Sequence, residues 1–174
     1  MKKFILVTLV VLMPTMFFGQ SVFDKFDGQD DVTAVIVSKK MFQLIGNVKI
    51  DAKDKESQQY YNLVKKLDNL KVFTTSSTRV TGEMKAAADR QIKIAGLEEL
   101  MRVTDNGKNI KIMVKSGAKE SQIKELLMFI EGSGKGNESV LMSLTGDFDL
   151  DEISVLTDKM KIPGSDALRK ASKK

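Results

Sequence analysis

Cysteine and histidine are both absent from the 174 residues. Without them there is no Ser-His-Asp triad, no thiol nucleophile, and no ordinary zinc, copper or haem site. Carboxylate chemistry, serine–lysine chemistry and oxygen-ligand metals such as calcium survive, so most common catalytic equipment is excluded although an enzyme is not. No cofactor is expected. With no disulfide available, stability has to come from the core alone. Charge of one sign is also in short supply. The formal net charge is +5 from 28 basic and 23 acidic residues, and the basic residues are scattered, except for the tail Arg169, Lys170, Lys173 and Lys174. A nucleic-acid binder should show a basic face or a motif with stacking aromatics. Phe and Tyr lie mostly inside apolar patterns here, so no nucleic-acid partner is expected, and the basic tail reads as a frayed, solvated end.

Long apolar runs are absent but for one. Met1, Lys2 and Lys3 precede an uncharged stretch from Phe4 to Phe18, followed by Gly19, Gln20 and Ser21. A basic start, an apolar segment of about 7–15 residues and a small residue at the cut are the parts of a secretory signal peptide. Spanning a bilayer takes about 20 apolar residues, and this stretch is shorter and holds Pro14. Residues 1–19 are therefore expected to be a cleaved leader, with the cut after Gly19 or, because Phe17 is bulky, after Gln20. A lipoprotein would need a cysteine there, and no later segment is long and apolar enough to span a membrane. The leader holds two lysines and no acid, so the mature charge falls to +3. The product is expected in the periplasm or beyond the outer membrane.

The remaining 155 residues suit one domain, with residues 20–163 expected as that domain and 164–174 as a basic flexible tail. Ser21 to Asp31 is an acidic lead-in. Val32 to Val37 is β-branched and predicts a strand. Ser38 can cap a helix carrying Met41, Phe42 and Ile45, which Gly46-Asn47 ends. Tyr60, Leu63, Val64, Leu67 and Leu70 fall at helical spacing, and Leu70 to Thr75 turns to strand composition. Residues 81–95 return to helix, with Met84, Ala88, Ile92 and Ala95 on one stripe. Strands follow at 100–104, 109–115, 126–130 and 140–144. Asn106-Gly107 marks a hairpin, and Ile110, Ile112 and Val114 alternate with Lys111, Met113 and Lys115, which leaves one face wet. Leu126 to Ile130 is apolar on both faces, as a central strand requires. Ile153, Leu156 and Met160 predict a last helix before Pro163-Gly164. The order β-α-α-β-α, a four-stranded antiparallel meander, then α argues an α+β fold: a twisted, mostly antiparallel sheet of about six strands with helices packed on one face.

Three patterns resemble chemistry. Asp147, Asp149, Asp151 and Glu152 form the densest carboxylate cluster. Calcium loops alternate acids similarly but need glycine at the sixth position, where this chain has Glu152; Asp149 capping a helix with Glu152 three residues on accounts for both carboxylates. Gly132, Gly134 and Gly136 imitate a phosphate-cradling loop, but they join two strands and not a strand to a helix, which leaves Lys135 at an exposed tip. Ser116 with Lys119, and Ser121 with Lys124, give Ser-x-x-Lys, and Lys115-Ser116-Gly117 echoes another penicillin-binding element. There the nucleophile opens a helix and the motifs come from separate parts of the chain; here the segment reads as a turn. Asn137-Glu138-Ser139 is a glycosylation sequon only in a host that reads it. No catalytic, cofactor-binding or metal residue is assigned.

The segment VTAVIVSKKMFQLI, the phrase VKKLDNLKVFTTSS, the ending SLTGDFDLDEISVLTDKM and a leader closing on Phe-Phe-Gly-Gln resemble domain of unknown function 4252, over residues 22–162. The resemblance implies a small exported protein of a Gram-negative envelope. The shared phrases are structural, so it implies no activity, substrate, cofactor or functional residue. Some members of that family are lipoproteins, from which the missing cysteine departs. The expected function is that of a non-enzymatic binding or accessory module whose partner is an envelope protein or a surface polymer. The alternative is a small carboxylate-dependent hydrolase built on residues 147–152, which needs a carboxyl there with a raised pKa.

Overall fold

A computed structural model describes residues 21–47, 55–105, 107–119, 121–132 and 138–153. β1 (Thr33–Ser38) forms where β-branched residues run together, and α1 (Lys39–Gly46) follows with Ser38 at its N-cap position. α2 (Lys55–Lys66) leads directly into β2 (Leu67–Thr75), and α3 (Thr78–Ala95) leads into the meander β3 (Glu98–Asp105), β4 (Lys108–Ser116), β5 (Gln122–Gly132) and β6 (Ser139–Asp149). One six-stranded sheet results, ordered β1-β2-β6-β5-β4-β3 and antiparallel throughout. The α+β class, the antiparallel sheet and its four-stranded meander are as the sequence predicts. At the β3–β4 hairpin Asp105 pairs with Lys108 across a two-residue turn, and Gly107 adopts φ 76°, the conformation that favours glycine in such turns.

Helices on one face only is the expectation that fails. From Leu126 to Ile130, past the bulge that follows Ile123, the side chains of β5 divide strictly. Leu126, Met128 and Ile130 enter one core with Phe42 of α1 and Leu63 and Val64 of α2. Leu127 and Phe129 enter a second core with Val80, Met84, Ala87 and Ala88 of α3 and with Phe23 and Phe26. α1 and α2 therefore cover one face and α3 the other. The physical reason is present in the strand itself: a segment apolar at both parities must be shielded from water on both sides. Phe23 and Phe26, at 1% and 0% exposure, precede and end a 3₁₀ turn at Asp24–Phe26 and make the acidic lead-in part of this second core.

Two boundaries also shift. Leu67 and Leu70, read as the end of the second helix, belong to β2, where Leu67 pairs with Gly146 beside a bulge and Leu70 pairs with Leu144. Both enter the same core as Leu63 and Val64, so apolar spacing alone does not distinguish helix from strand there. β6 continues past residue 144 to Asp149, with Leu144 and Phe148 buried and Asp147 exposed between Gly146 and Phe148. α3 starts three residues earlier than expected and ends on Gly96 at φ 65°, where Leu97 N–H donates to Ile92 O at 3.0 Å. Beyond Ile153 the expected last helix, with Leu156 and Met160, lies outside the described residues, as do the tail and loop residues 133–137.

Candidate functional site

The carboxylate cluster is placed by β6. Alternation along the strand sends Phe148 inward and Asp147 and Asp149 to the opposite side, and a 3₁₀ turn at Leu150–Glu152 follows. Asp149 and Glu152 form the expected capping box, with Glu152 accepting from the Asp149 N–H at 3.0 Å. Glu152, Asp149 and Asp147 also each meet a donor from a neighbouring element. Lys66, at the end of α2, donates to both Glu152 oxygens at 2.7 and 2.9 Å and lies 4.0 Å from Asp149. Ser121 hydroxyl donates to Asp149 at 3.1 Å. Asp147 pairs with Lys124 at 2.7 Å and accepts a hydrogen bond from Gln122. The hydrogen bond from Lys124 holds the Asp147 carboxyl below its ordinary value of 3.8; desolvation opposes this, and Gln122 and the charges of Lys124 and Lys66 add to it. A hydrolytic acid in this cluster would need the opposite shift. The arrangement works instead as a clasp that ties the end of β6 to α2 and to the β4–β5 turn.

The serine–lysine patterns fall on that turn. Ser116 ends β4 and pairs with Ile123 of β5, and Gly117 N–H donates to Gln122 O at 2.6 Å. Ser121 bonds Asp149 and Lys124 bonds Asp147, so neither serine opens a helix. Gly132 ends β5 and Ser139 begins β6, which makes the glycine-rich segment a strand-to-strand connection; Gly134 and Gly136 lie outside the described residues. Gly19 and Gln20, the expected cleavage residues, lie outside them too. Among the described residues no group of three or more Asp, Glu, His or Cys side chains is placed to hold a metal ion. None of their helices is long and apolar enough to cross a membrane.

A cleft with a buried apolar floor lies elsewhere, on the face that α3 covers. α3 packs against β5 and β6, so the same face of β3 and β4 extends beyond it, and a cleft of about 290 Å³ opens along the helix. Lys85, Ala88, Asp89 and Ile92 line one wall; their spacing of three and four residues puts them on one stripe of the helix. The opposite wall comes from three rungs of the sheet. Thr104, Asn109 and Glu131 are aligned across β3, β4 and β5, as are Arg102, Lys111 and Phe129, and Met113 faces Leu127. Met113, Leu127, Phe129 and Ala88 are buried and make an apolar floor. The rim is charged. Lys85 bridges both oxygens of Glu131 at 2.9 Å, Lys111 stands 4.0 Å from Asp89, and Arg102 pairs with Glu99.

Parts of this cleft are readable one element at a time. The helical stripe through Ala88 and Ile92 is a sequence signal, as is the alternation of β4 through Lys111, but that face is not wet throughout as expected, since Met113 is buried on it. Arg102, Thr104, Asn109 and Glu131 are not, because strand register and the offset of α3 bring them together. Period-two alternation along β3, β4 and β5 is the signal that places each on the right face.

A single antiparallel sheet between two helical layers defines the class, an α+β protein with β-α-α-β-α-β-β-β-β order. Within that class the chain belongs to the family described as domain of unknown function (DUF4252), which matches residues 26–156. No curated protein and no solved structure matches it.

Proposed function

We propose that this chain is an exported, non-enzymatic binding module of the cell envelope, and that the cleft between α3 and strands β3–β5 receives its partner. The observation that carries this is the combination in one cleft of a buried apolar floor and a rim of paired charges. Apolar floors favour apolar side chains through water release, and rim charges set orientation more than affinity. That chemistry suits a segment of a partner protein better than a hydrophilic surface polymer. The carboxylate cluster offers no competing case for hydrolysis, since Asp147, Asp149 and Glu152 are engaged in the clasp and Asp147 is shifted the wrong way. Export is supported by the basic start and uncharged run before Gly19, and by Phe23 and Phe26, which sit in the core only a few residues past the expected cut.

Two measurements test the reading. The protein recovered from the periplasmic fraction should begin at Gln20 or Ser21 by N-terminal sequencing; retention of Met1 would count against export. A photoreactive residue at Thr104 or Asn109 should capture a discrete partner in living cells, and Ala88→Arg, which fills the floor, should abolish that capture. Recovery of the protein alone from both positions would overturn the assignment of the cleft.

A further inference from the structure

The two edges of the sheet are built differently. β3 carries Glu98, Glu99, Arg102 and Asp105, and its pairing with β4 breaks register between Glu99 and Met101. Charges and bulges of this kind stop an edge from pairing with another chain. β1, the opposite edge, has neither. Its six residues, TAVIVS, include no charge, no proline and no glycine, and pair with β2 in unbroken register. Val35 and Ile36 are 50% and 43% exposed, so the strand shows water an apolar side chain on each face. α1, which packs against β1 and β2, adds exposed Met41 and Leu44. An unprotected apolar edge beside an apolar helix is the pattern of an interface.

We infer that β1 pairs antiparallel with β1 of a second copy, joining two six-stranded sheets into one of twelve. A two-fold axis between antiparallel edge strands runs normal to the sheet and keeps each face on its own side, so only residues of the same parity can face each other. That leaves centres on Val35 or on Ile36. Centring on Val35 sets Val35 against its own copy, Ala34 against Ile36 and Thr33 against Val37, matching a small side chain to the largest one on that face. It also sets Val32 against Ser38 and, just beyond the strand ends, brings Asp31 of the preceding turn towards Lys39, the first residue of α1. Their present partners, Arg79 at 3.8 Å and Asp68 at 2.7 Å, are exposed pairs, which leaves both side chains able to share a cross-copy contact. Centring on Ile36 would set Ser38 against Ala34 and bring the Lys39 end of α1 towards Thr33 and Val32, where no acid stands. The Val35 register has apolar and charge complementarity together. In the dimer both α1 helices lie on the same side of the joined sheet, with their apolar side chains along the seam.

The chain contains no cysteine, which makes single cysteines clean reporters of this register. Facing Cβ atoms in an antiparallel pair lie about 4.5–5.5 Å apart, within reach of a disulfide after small adjustment. Mild oxidation of the purified Val35→Cys protein should yield a reducible dimer. Ala34→Cys or Ile36→Cys alone should not, whereas an equimolar mixture of those two should. Sedimentation of the wild type should show a dimer at micromolar concentration, and Val35→Lys should be a folded monomer. A wild type that stays monomeric, with no crosslink through Val35→Cys, overturns the proposal and leaves β1 to a strand of another protein. Self-crosslinking of Ile36→Cys in place of Val35→Cys overturns the register. If Val35→Lys does not fold, the cysteine series decides alone.

Discussion

Leu126 and Leu127 are neighbours in β5, yet they enter different cores, at 0% and 1% exposure. Truncating either to alanine removes three carbons, worth about 2.4 kcal/mol at roughly 0.8 kcal/mol per buried CH₂. The cavity left behind raises each loss to about 3–4 kcal/mol. Leu126→Ala and Leu127→Ala should therefore destabilise by similar amounts, because each face has its own helical cover. Urea unfolding followed by circular dichroism measures this directly. With a slope of about 2 kcal/mol/M, each midpoint should fall by about 1.5–2 M. Ile94→Ala, at a side chain 66% exposed, serves as the control and should change stability by no more than about 0.5 kcal/mol. A sheet covered on one face only would give one large effect and one small. If Leu127→Ala cost less than about 1 kcal/mol beside a full effect at Leu126, the two-core architecture would be wrong.

Other expectations follow from the same geometry. A Cβ on Gly146 would stand 2.5 Å from Lys66 O and 3.0 Å from Leu67 Cα. These are main-chain atoms that cannot swing aside, so Gly146→Ala should lower stability by about 1–3 kcal/mol in thermal unfolding. Gly82, inside α3, has open space around it, and Gly82→Ala should raise stability by about 0.5–1 kcal/mol. Gly96 closes α3 at φ 65°, so Gly96→Ala should cost about 1 kcal/mol. The folded-state pKa of Asp147 is depressed, so its contribution is present above the unfolded value and is lost as pH falls through the folded one. Asp147→Asn should thus melt below the wild type at neutral pH, and the gap should close as the pH is taken below 3.8. A gap that widened on acidification would contradict the Lys124 pairing.

Most elements were legible because they depend on local chemistry. The β-branched run at 32–37, the alanine-rich helix before Gly96, the Asn-Gly hairpin and the Asp149–Glu152 cap each rest on neighbours within a few residues. The boundary at Leu67 was not legible, since Leu67 and Leu70 keep helical spacing with Leu63 and only pairing with β6 draws them into a strand. The extension of β6 through Asp147 was hidden by its acids, which look like a cluster until alternation with Gly146 and Phe148 is noticed. Half of the cleft was readable as stripes on single elements, and the other half required register across three strands.

By itself the sequence determined the absence of histidine and cysteine chemistry, the order of its elements from β1 to β6 and the apolar character of both faces of its central strand, because composition and periodicity act locally along the chain. Only the tertiary structure decided that the helices divide between the faces, that Asp147, Asp149 and Glu152 end as a clasp, and that among the described residues one edge is charged and bulged while the other is bare. Those outcomes depend on which strands become neighbours and where each helix crosses the sheet, and such long-range pairings are selected by the packing of the whole core.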